Sequence, residues 1–197
     1  MGDFYERIVD VEVSHEEAGP LAERMVEWMV TEGLITREMS GDAMYSLQVD
    51  EGYVPGPNWA RAAEEWDDDH IPAPVAVIVG RDHHVGGQGM DTAEYALCPR
   101  CATRTVFIDY PESFDPDEQV WQPFRGAITD WKETGEGHAR CTACQAVVPI
   151  TQWQWDSDFA LGALAFDFWG WPPLTDDFVA EFSGQLGHRT AQHSGKF

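Results

Sequence analysis

The N-terminal part of the chain begins with alternating hydrophobic and polar positions and then changes to a helical pattern. The segment YERIVDVEVS at 5–14 alternates with a period of two, which predicts a strand. Ser14 and Glu17 form a capping box, and apolar residues then recur at helical spacing from Leu21 to Val30. Gly33 suits the left-handed residue that ends a helix. The pattern therefore predicts one strand followed by one helix.

The pattern becomes shorter and less regular between residues 44 and 80. Met44–Val49 alternates and predicts a strand, and VPGPN at 54–58 predicts a turn. A short helix is expected over 59–66. The segment PAPVAVIVG at 72–80 is β-branched and apolar, which predicts a buried strand.

The second half of the chain combines strands with two helices. Strands are predicted in RTVFIDY, AVVPITQWQWD and FALGALAFDFW. A helix is predicted after Pro116, and Pro123 is expected to kink or split it. The final helix should begin at a Thr175 cap and end at Gly187, with Phe178, Phe182 and Leu186 on its buried face.

These elements together predict an α+β fold. We expect an N-terminal α+β region over 1–94 and a second region over 95–197 that contains the cysteines and the C-terminal helix. Because no Gly/Ser-rich linker separates the two regions, they are expected to pack as one compact unit.

Net charge is the property of the composition that says most about the partners of the protein. The chain has 35 Asp and Glu against 12 Lys and Arg, a formal net charge of -23. Phosphate backbones repel such a surface, so direct binding to nucleic acid is not expected, and a basic protein is the expected partner. The alternative is that the acidity serves only to keep the protein in solution.

The sequence also bears on location. No stretch is apolar over the length needed to cross a bilayer, and the N-terminus lacks the pattern of a secretory signal, which predicts a cytoplasmic protein without a membrane partner. In a reducing cytoplasm, four cysteines are expected as thiols or metal ligands.

The four cysteines form two C-x-x-C pairs. Cys98 and Cys101 are separated by 39 residues from Cys141 and Cys144. Two such turns supply the four-thiolate shell that Zn²⁺ favours, and a closed shell of this type is structural, not catalytic. A redox role would require a C-x-x-C at the start of a helix in a thioredoxin-like setting, which neither pair has. His138 is an alternative ligand in place of one thiolate.

The paired knuckles, each followed by a β-rich segment, resemble those of zinc-ribbon proteins. The resemblance covers about residues 95 to 150 and implies a structural zinc ion. The spacer is longer than the usual length of about 15 to 20 residues, so the sequence departs from a simple ribbon and is expected to hold an inserted helix.

The C-terminal segment resembles a set of uncharacterised bacterial proteins. FDFWGWPPL, the following helix and the Leu-Gly-His ending carry this resemblance over about residues 160 to 197. It implies a common fold and no particular activity.

Two histidine-containing segments are the candidates for catalysis or metal binding. GRDHHVGGQGMD at 80–91 places Asp82, His83 and His84 in a predicted glycine-rich loop after a strand, which suits acid-base chemistry. The alternative is a turn with exposed histidines. WDDDH at 66–70 lacks the alternate spacing and glycine of a calcium loop, and a solvated helix end is the simpler interpretation. No hydrolase signature of the G-x-S-x-G or H-E-x-x-H type is present.

These observations predict a non-enzymatic, acidic, zinc-stabilised binding protein. An inhibitor or immunity-type protein for a basic nuclease or toxin fits best, with some of the nine tryptophans as anchors. The alternatives are an enzyme whose site is the loop of Asp82, His83 and His84, and a zinc-ribbon adaptor in transcription or translation machinery.

Overall fold

The computed structural model describes residues 4–64, 70–86 and 91–196. Within these residues it has three α-helices: α1 (His15–Thr31), α2 (Glu118–Thr134) and α3 (Asp176–Leu186). The strands are β1 (Phe4–Asp10), β2 (Ile35–Ser40), β3 (Gly52–Pro55), β4 (Val75–Val85), β5 (Tyr95–Leu97), β6 (Arg104–Val106), β7 (His138–Arg140), β8 (Val147–Pro149), β9 (Gln154–Trp155), β10 (Phe159–Trp169) and β11 (Thr190–Lys196). The predicted α+β class is confirmed.

The chain forms two compact units whose boundaries differ from the expected division at residue 94. Unit 1 comprises Met1–Gly80 and Gly162–Phe197, and unit 2 comprises Arg81–Leu161. The C-terminal segment belongs with the N-terminal one because β1 pairs antiparallel with both β10 and β11. Strand pairing between the two ends of the chain is a long-range property that local patterns do not reveal.

A six-stranded sheet in the order β11-β1-β10-β4-β3-β2 is the framework of unit 1. Helices α1 and α3 supply the apolar residues that cover one face. Ile8 and Phe166, which are directly opposite each other on β1 and β10, belong to the same buried cluster as Met25 of α1 and Phe182 of α3. Burial of this apolar surface is the main source of stability for a layer of this kind.

Local sequence signals account for the ends of α1. The Ser14 hydroxyl accepts a hydrogen bond from the Glu17 amide, as the capping box predicts. The Glu17 carboxylate accepts a hydrogen bond from the Ser14 hydroxyl, where a capping box would have it accept from the Ser14 amide. At the other end Gly33 has a φ of +71°, and the amides of Gly33 and Leu34 bond back to the carbonyls of Val30 and Met29. This is the Schellman arrangement that favours glycine.

The other two helices are also confirmed, with one difference. Thr175 caps α3 through its hydroxyl, and Gly187 ends the helix with a φ of +77°. In α2, Asp117 is the cap, and the helix continues through Pro123 as one element instead of splitting there. Pro123 lies on the exposed side of α2, and so does Gln119, whose carbonyl loses the hydrogen bond that Pro123 cannot donate.

The strand predicted over Met44–Val49 is wrong. This segment is irregular, and the strands before β4 are instead β2 and β3. Met44 and Val49 pack against a cluster that contains Tyr5 and Trp169, and the Ser46 hydroxyl accepts hydrogen bonds from nearby amides. Met44 and Val49 therefore belong to a loop that packs on the sheet, and Ser46 favours a turn within that loop.

Strand formation also extends further than predicted in two places. The strand predicted over 72–80 continues to Val85, and β11 forms over residues for which no strand was predicted. The helix predicted over 59–66 is a 3-10 turn at Trp59–Ala62, and residues 65–69 lie outside the described part of the chain.

Unit 2 is built from short strands around α2. β6-β5-β9 form a three-stranded sheet and β7-β8 a hairpin. Trp121 and Phe124 of α2 lie in an aromatic cluster with Phe107, whose ring centroid is 4.8 Å from each of theirs. Within the described residues, no helix is both long enough and apolar enough to cross a membrane.

Candidate metal centre

The four cysteines lie in two hairpin loops of unit 2 that have the same length. The first loop joins β5 to β6 and contains Cys98 and Cys101, and the second joins β7 to β8 and contains Cys141 and Cys144. In each hairpin the last residue of one strand lies opposite the first residue of the next, as in the pairing of Arg140 with Val147. Six residues therefore separate the paired strands at both knuckles.

The two loops also share one backbone conformation. The amide of Cys98 donates to the carbonyl of Thr103 at 3.0 Å, and the amide of Ala102 donates to the carbonyl of Cys98 at 2.8 Å. In the second loop the corresponding bonds join Cys141 to Ala146 and Gln145 to Cys141, both at 2.9 Å.

The fifth residue of each loop is left-handed, with a φ of 55° at Ala102 and 61° at Gln145. Glycine is the usual residue for such a backbone. Two non-glycine residues in matching left-handed positions indicate that the knuckle geometry is imposed by the site.

The sulfur atoms form a closed cluster. Cys98 Sγ lies 3.8 Å from Cys144 Sγ, and Cys101 Sγ lies 3.7 Å from Cys141 Sγ. All four sulfurs are within 4.8 Å of one another. A tetrahedral shell with metal–sulfur bonds of about 2.3 Å places its sulfurs about 3.8 Å apart. The separations thus fit four ligands around one ion, and they are far longer than the roughly 2.05 Å of a disulfide.

Each knuckle contributes one buried and one exposed sulfur. Cys98 and Cys141 are buried and belong to the hydrophobic cluster of unit 2, whereas Cys101 and Cys144 are exposed. The arrangement anchors the site in the core through its first cysteines and leaves its second cysteines at the surface, where an ion can enter.

The thiols influence one another's protonation. Hydrogen bonds with the side chain and backbone of Thr103 lower the pKa of Cys101 to about 6. For Cys144, a backbone hydrogen bond from Ala146 lowers the pKa, but partial desolvation and the sulfurs of the three other cysteines outweigh it and raise the pKa to about 11. Four thiols at this spacing resist losing all their protons together unless a cation compensates the charge.

His138 does not belong to the cluster. The four cysteines are the complete group that can hold a metal ion in the described part of the chain. His138 is the first residue of β7, and its side chain is exposed. The structure thus brings together the four sulfur ligands that the sequence predicts and leaves out the alternative histidine.

The second candidate site of the sequence has a different structure from the loop that was expected. Asp82, His83 and His84 lie within β4 and not in a loop. Asp82 Oδ1 is 2.6 Å from Lys132 Nζ and 3.3 Å from His83 Nδ1. Burial raises the pKa of Asp82, but the hydrogen bonds from His83 and Lys132 outweigh it, so the pKa lies well below its usual range. The carboxylate is therefore held ionised in a salt bridge.

The two histidines differ in their surroundings. His83 stacks on Phe159 with 5.8 Å between the ring centroids, whereas His84 is 1% exposed. Adjacent residues of a strand point to opposite faces, which is why the two rings do not share one site. Residues 87–90 of the glycine-rich segment lie outside the described residues.

Most of the WDDDH segment also lies outside the described residues. Of its members the structure describes His70, whose Nε2 is 2.7 Å from the Gly170 carbonyl oxygen and whose ring lies 6.0 Å from that of Trp59. These contacts give His70 a packing role in unit 1.

A row of buried polar residues in unit 1 was not predicted from the sequence. Arg7 on β1 lies opposite Asp167 on β10 and His193 on β11. Its Nε and Nη2 bond to the two Asp167 oxygens at 2.5 and 2.6 Å. Burial raises the pKa of Asp167 against the opposing effect of Arg7. The one indication of this row in the sequence is Asp167, the single carboxylate within the apolar run FALGALAFDFW.

His193 completes this row without a hydrogen bond to either ring nitrogen. The side chain is 2% exposed. Burial, together with the charge of Arg7, lowers its pKa to about 4. The His193 imidazole is therefore uncharged and lies beside the buried ion pair of Arg7 and Asp167.

The chain was also compared with known proteins. No family model matches it, and the searches of curated proteins and of solved structures gave no significant match.

Proposed function

We propose that the cysteine cluster holds a structural zinc ion and that the protein is a non-enzymatic binding protein for a basic partner. An inhibitor or immunity-type protein that masks a nuclease or toxin fits this description. A shell of four sulfurs leaves no position for water on the ion, so the metal would hold the two knuckles together and would not activate a substrate.

The donor set supports zinc as the ion. Tetrahedral sites of four thiolates hold either zinc or iron in proteins. Metal analysis of protein purified without a chelator tests the identity: one zinc per chain and no visible absorption support the proposal. Less than half a zinc per chain, or a stoichiometric amount of iron, contradicts it.

The observation that carries the binding function is the excess of carboxylates without cationic partners. Several acidic residues are used in ion pairs, for example Glu27 with Arg37 and Glu118 with Arg125. Others, including Glu23, Asp50 and Glu51, are exposed and have no ion pair among the described residues. With a net charge of -23, this surface attracts basic proteins and increases their rate of association.

An affinity capture tests the binding function. The tagged protein is incubated with nuclease-treated lysate of its source organism at about 50 mM and about 150 mM salt, where charge screening differs. A single basic protein retained in equimolar amount at both concentrations supports the proposal. If only a mixture that dissociates at the higher concentration is retained, the acidity serves solubility and the proposal fails.

One observation favours the adaptor as a second candidate. The segments 95–108 and 137–155, which contain the knuckles, have no Asp or Glu but contain Arg100, Arg104 and Arg140. The Arg104 guanidinium lies 3.6 Å from the centre of the Tyr95 ring, and Arg140 donates to the Gln145 carbonyl at 3.0 Å. An adaptor would present these arginines to acidic protein. Binding to a poly-glutamate probe that weakens in an Arg100→Gln Arg140→Gln variant would support it, and unchanged binding would exclude it.

A further inference from the structure

A groove on unit 1 lies between α1 and the strands β2, β3 and β4. Its volume is about 750 Å³, within the range of clefts that bind ligands. One wall is formed by α1 from Gly19 to Val26, and the other by side chains of the sheet and of the segment before β3. All of these residues belong to unit 1.

The groove exists because the sheet is wider than its helical cover. Six strands with a spacing of about 4.8 Å span about 24 Å, whereas two packed helices cover about 20 Å. Helices α1 and α3 lie together, with Trp28 of α1 stacked on Phe178 of α3 at 6.3 Å. Side chains of β2, β3 and β4 therefore extend beyond α1 and form the floor of the groove.

The floor of the groove is apolar and partly open to solvent. Met39 and Val79 are 50% and 49% exposed, and Val26, Tyr53 and Val77 are half-buried beside them. Apolar side chains grouped in a groove gain stability when a partner removes them from water.

The edge of the groove is acidic. Glu23 stands on α1, and Asp50 and Glu51 stand on the segment opposite. None of the described residues that line the groove is a lysine or an arginine. Arg37 of β2 is already engaged with Glu27 of α1 at 2.6 Å. The charge at this edge is consequently free to attract a cationic partner.

We propose that this groove is the docking site for a basic amphipathic helix of the partner protein. The helix would lie in the groove beside α1, with its apolar face on Met39 and Val79 and its lysines and arginines towards Glu23, Asp50 and Glu51. Recognition of a helix in a groove uses apolar residues spaced three and four apart on one face of the helix. The α1 wall from Gly19 to Val26 is about two helical turns long, so a partner helix can place two such turns against it. The inference rests on the proposed function, since it names the surface and the segment through which a basic partner binds.

A synthetic helix tests the inference. The probe is a labelled 16-residue peptide of Leu and Lys with leucines on one helical face, and its affinity is measured by fluorescence anisotropy at 150 mM salt. We expect a Glu23→Gln Asp50→Asn Glu51→Gln variant to bind the probe at least tenfold more weakly. The matched control Asp130→Asn Glu133→Gln Glu136→Gln removes the same charge from exposed positions of unit 2 and should change the affinity less than threefold.

The apolar floor is tested in the same assay. A Met39→Ser Val79→Ser variant should bind the probe at least fivefold more weakly. Leu47→Ser Ile71→Ser, at positions that are 92% and 88% exposed outside the groove, should change the affinity less than twofold. A peptide with the same composition in scrambled order should bind at least tenfold more weakly than the helix.

Three results would overturn the inference. Equal weakening by the two charge variants shows that only the overall charge matters. Equal binding of the scrambled peptide shows that an apolar helical face is not recognised. Stronger binding of an extended Val/Lys peptide identifies a strand paired with β2 as the occupant. In each case a basic partner captured in equimolar amount would still support the proposed function, so the two failures are distinguishable.

Discussion

The two units of the chain are stabilised in different ways. Unit 1 has strand segments of up to eight residues, such as Gly162–Trp169 of β10, and two helices over a large buried cluster that includes Ile8, Met25 and Phe166. In unit 2 the strands β5 to β9 have two or three residues each, and four cysteines bring their hairpins together. Isolated hairpins of this length are marginal in water. From this difference we expect unit 1 to be held mainly by apolar burial, and unit 2 to need a metal ion in addition to its smaller buried cluster.

Removing the metal ligands should produce the largest difference between the units. In Cys141→Ser Cys144→Ser, we expect loss of bound zinc and of the fixed structure of unit 2, because structural zinc contributes about 10 kcal/mol or more to the folding of small domains. Limited proteolysis should then cut within Arg81–Leu161 before it cuts α1 or α3. Thr142→Ser, at an exposed position between the two cysteines, is the control. Cleavage at equal rates in both units would show that the ion does not distinguish them.

Breaking the buried ion pair should destabilise unit 1 next most strongly. Asp167→Leu leaves the Arg7 guanidinium buried without its carboxylate, and we expect the free energy of unfolding to fall by about 3 to 5 kcal/mol. The double variant Arg7→Met Asp167→Leu should recover most of that loss. Urea unfolding of the three proteins measures both effects. A double variant as unstable as the single one would contradict the assignment of the cost to the loss of the carboxylate opposite Arg7.

Acid should destabilise unit 1 through His193. Its pKa is about 4 in the folded chain and about 6.5 when unfolded, so below pH 6.5 the unfolded chain binds the proton first. We expect the contribution of His193 to the free energy of unfolding to be constant above pH 7. It should fall by about 3 kcal/mol as the pH decreases from 6.5 to 4.

The difference between the wild-type protein and His193→Gln isolates this effect. Glu6, whose pKa is raised by burial, titrates in both proteins and cancels in the comparison. The Arg7–Asp167 pair is also common to both. Parallel curves of unfolding free energy against pH for the two proteins would exclude His193 as the cause.

The smallest effect is expected at the ion pair of unit 2. Lys132 is 35% exposed, so solvent screens its ion pair with Asp82. The free energy of unfolding of the Lys132→Met variant should therefore be only about 1 kcal/mol lower. The pKa of Asp82 is lower in the folded state than in the unfolded chain. The stabilisation that the pair gives is therefore fully present above the unfolded pKa and is lost as the pH falls from there through the folded pKa. Glu133→Gln, at the neighbouring exposed position, is the control for thermal unfolding. An equal change in the midpoint for both variants would show that the pair adds nothing specific.

Patterns over a few residues predicted the elements whose causes are local. The caps at Ser14 and Thr175 and the left-handed ends at Gly33 and Gly187 were predicted because each depends on its own turn of helix. Each cysteine knuckle is local in the same way, since a C-x-x-C pair closes its own turn. The meeting of the two knuckles, 39 residues apart, was predicted instead from the four-thiolate shell that Zn²⁺ favours. The strand at Met44–Val49 failed because the apolar residues there pack on distant Tyr5 and Trp169.

The sequence by itself thus determined the α+β class, the helices and the grouping of the four sulfurs. The tertiary structure decided that β1 joins β10 and β11, that Asp82 belongs to a salt bridge with Lys132, and that a groove remains beside α1. The physical reason is distance along the chain. A cap or a knuckle is stabilised by neighbours within six residues, whereas strand pairing, buried ion pairs and uncovered faces depend on residues that only folding brings together.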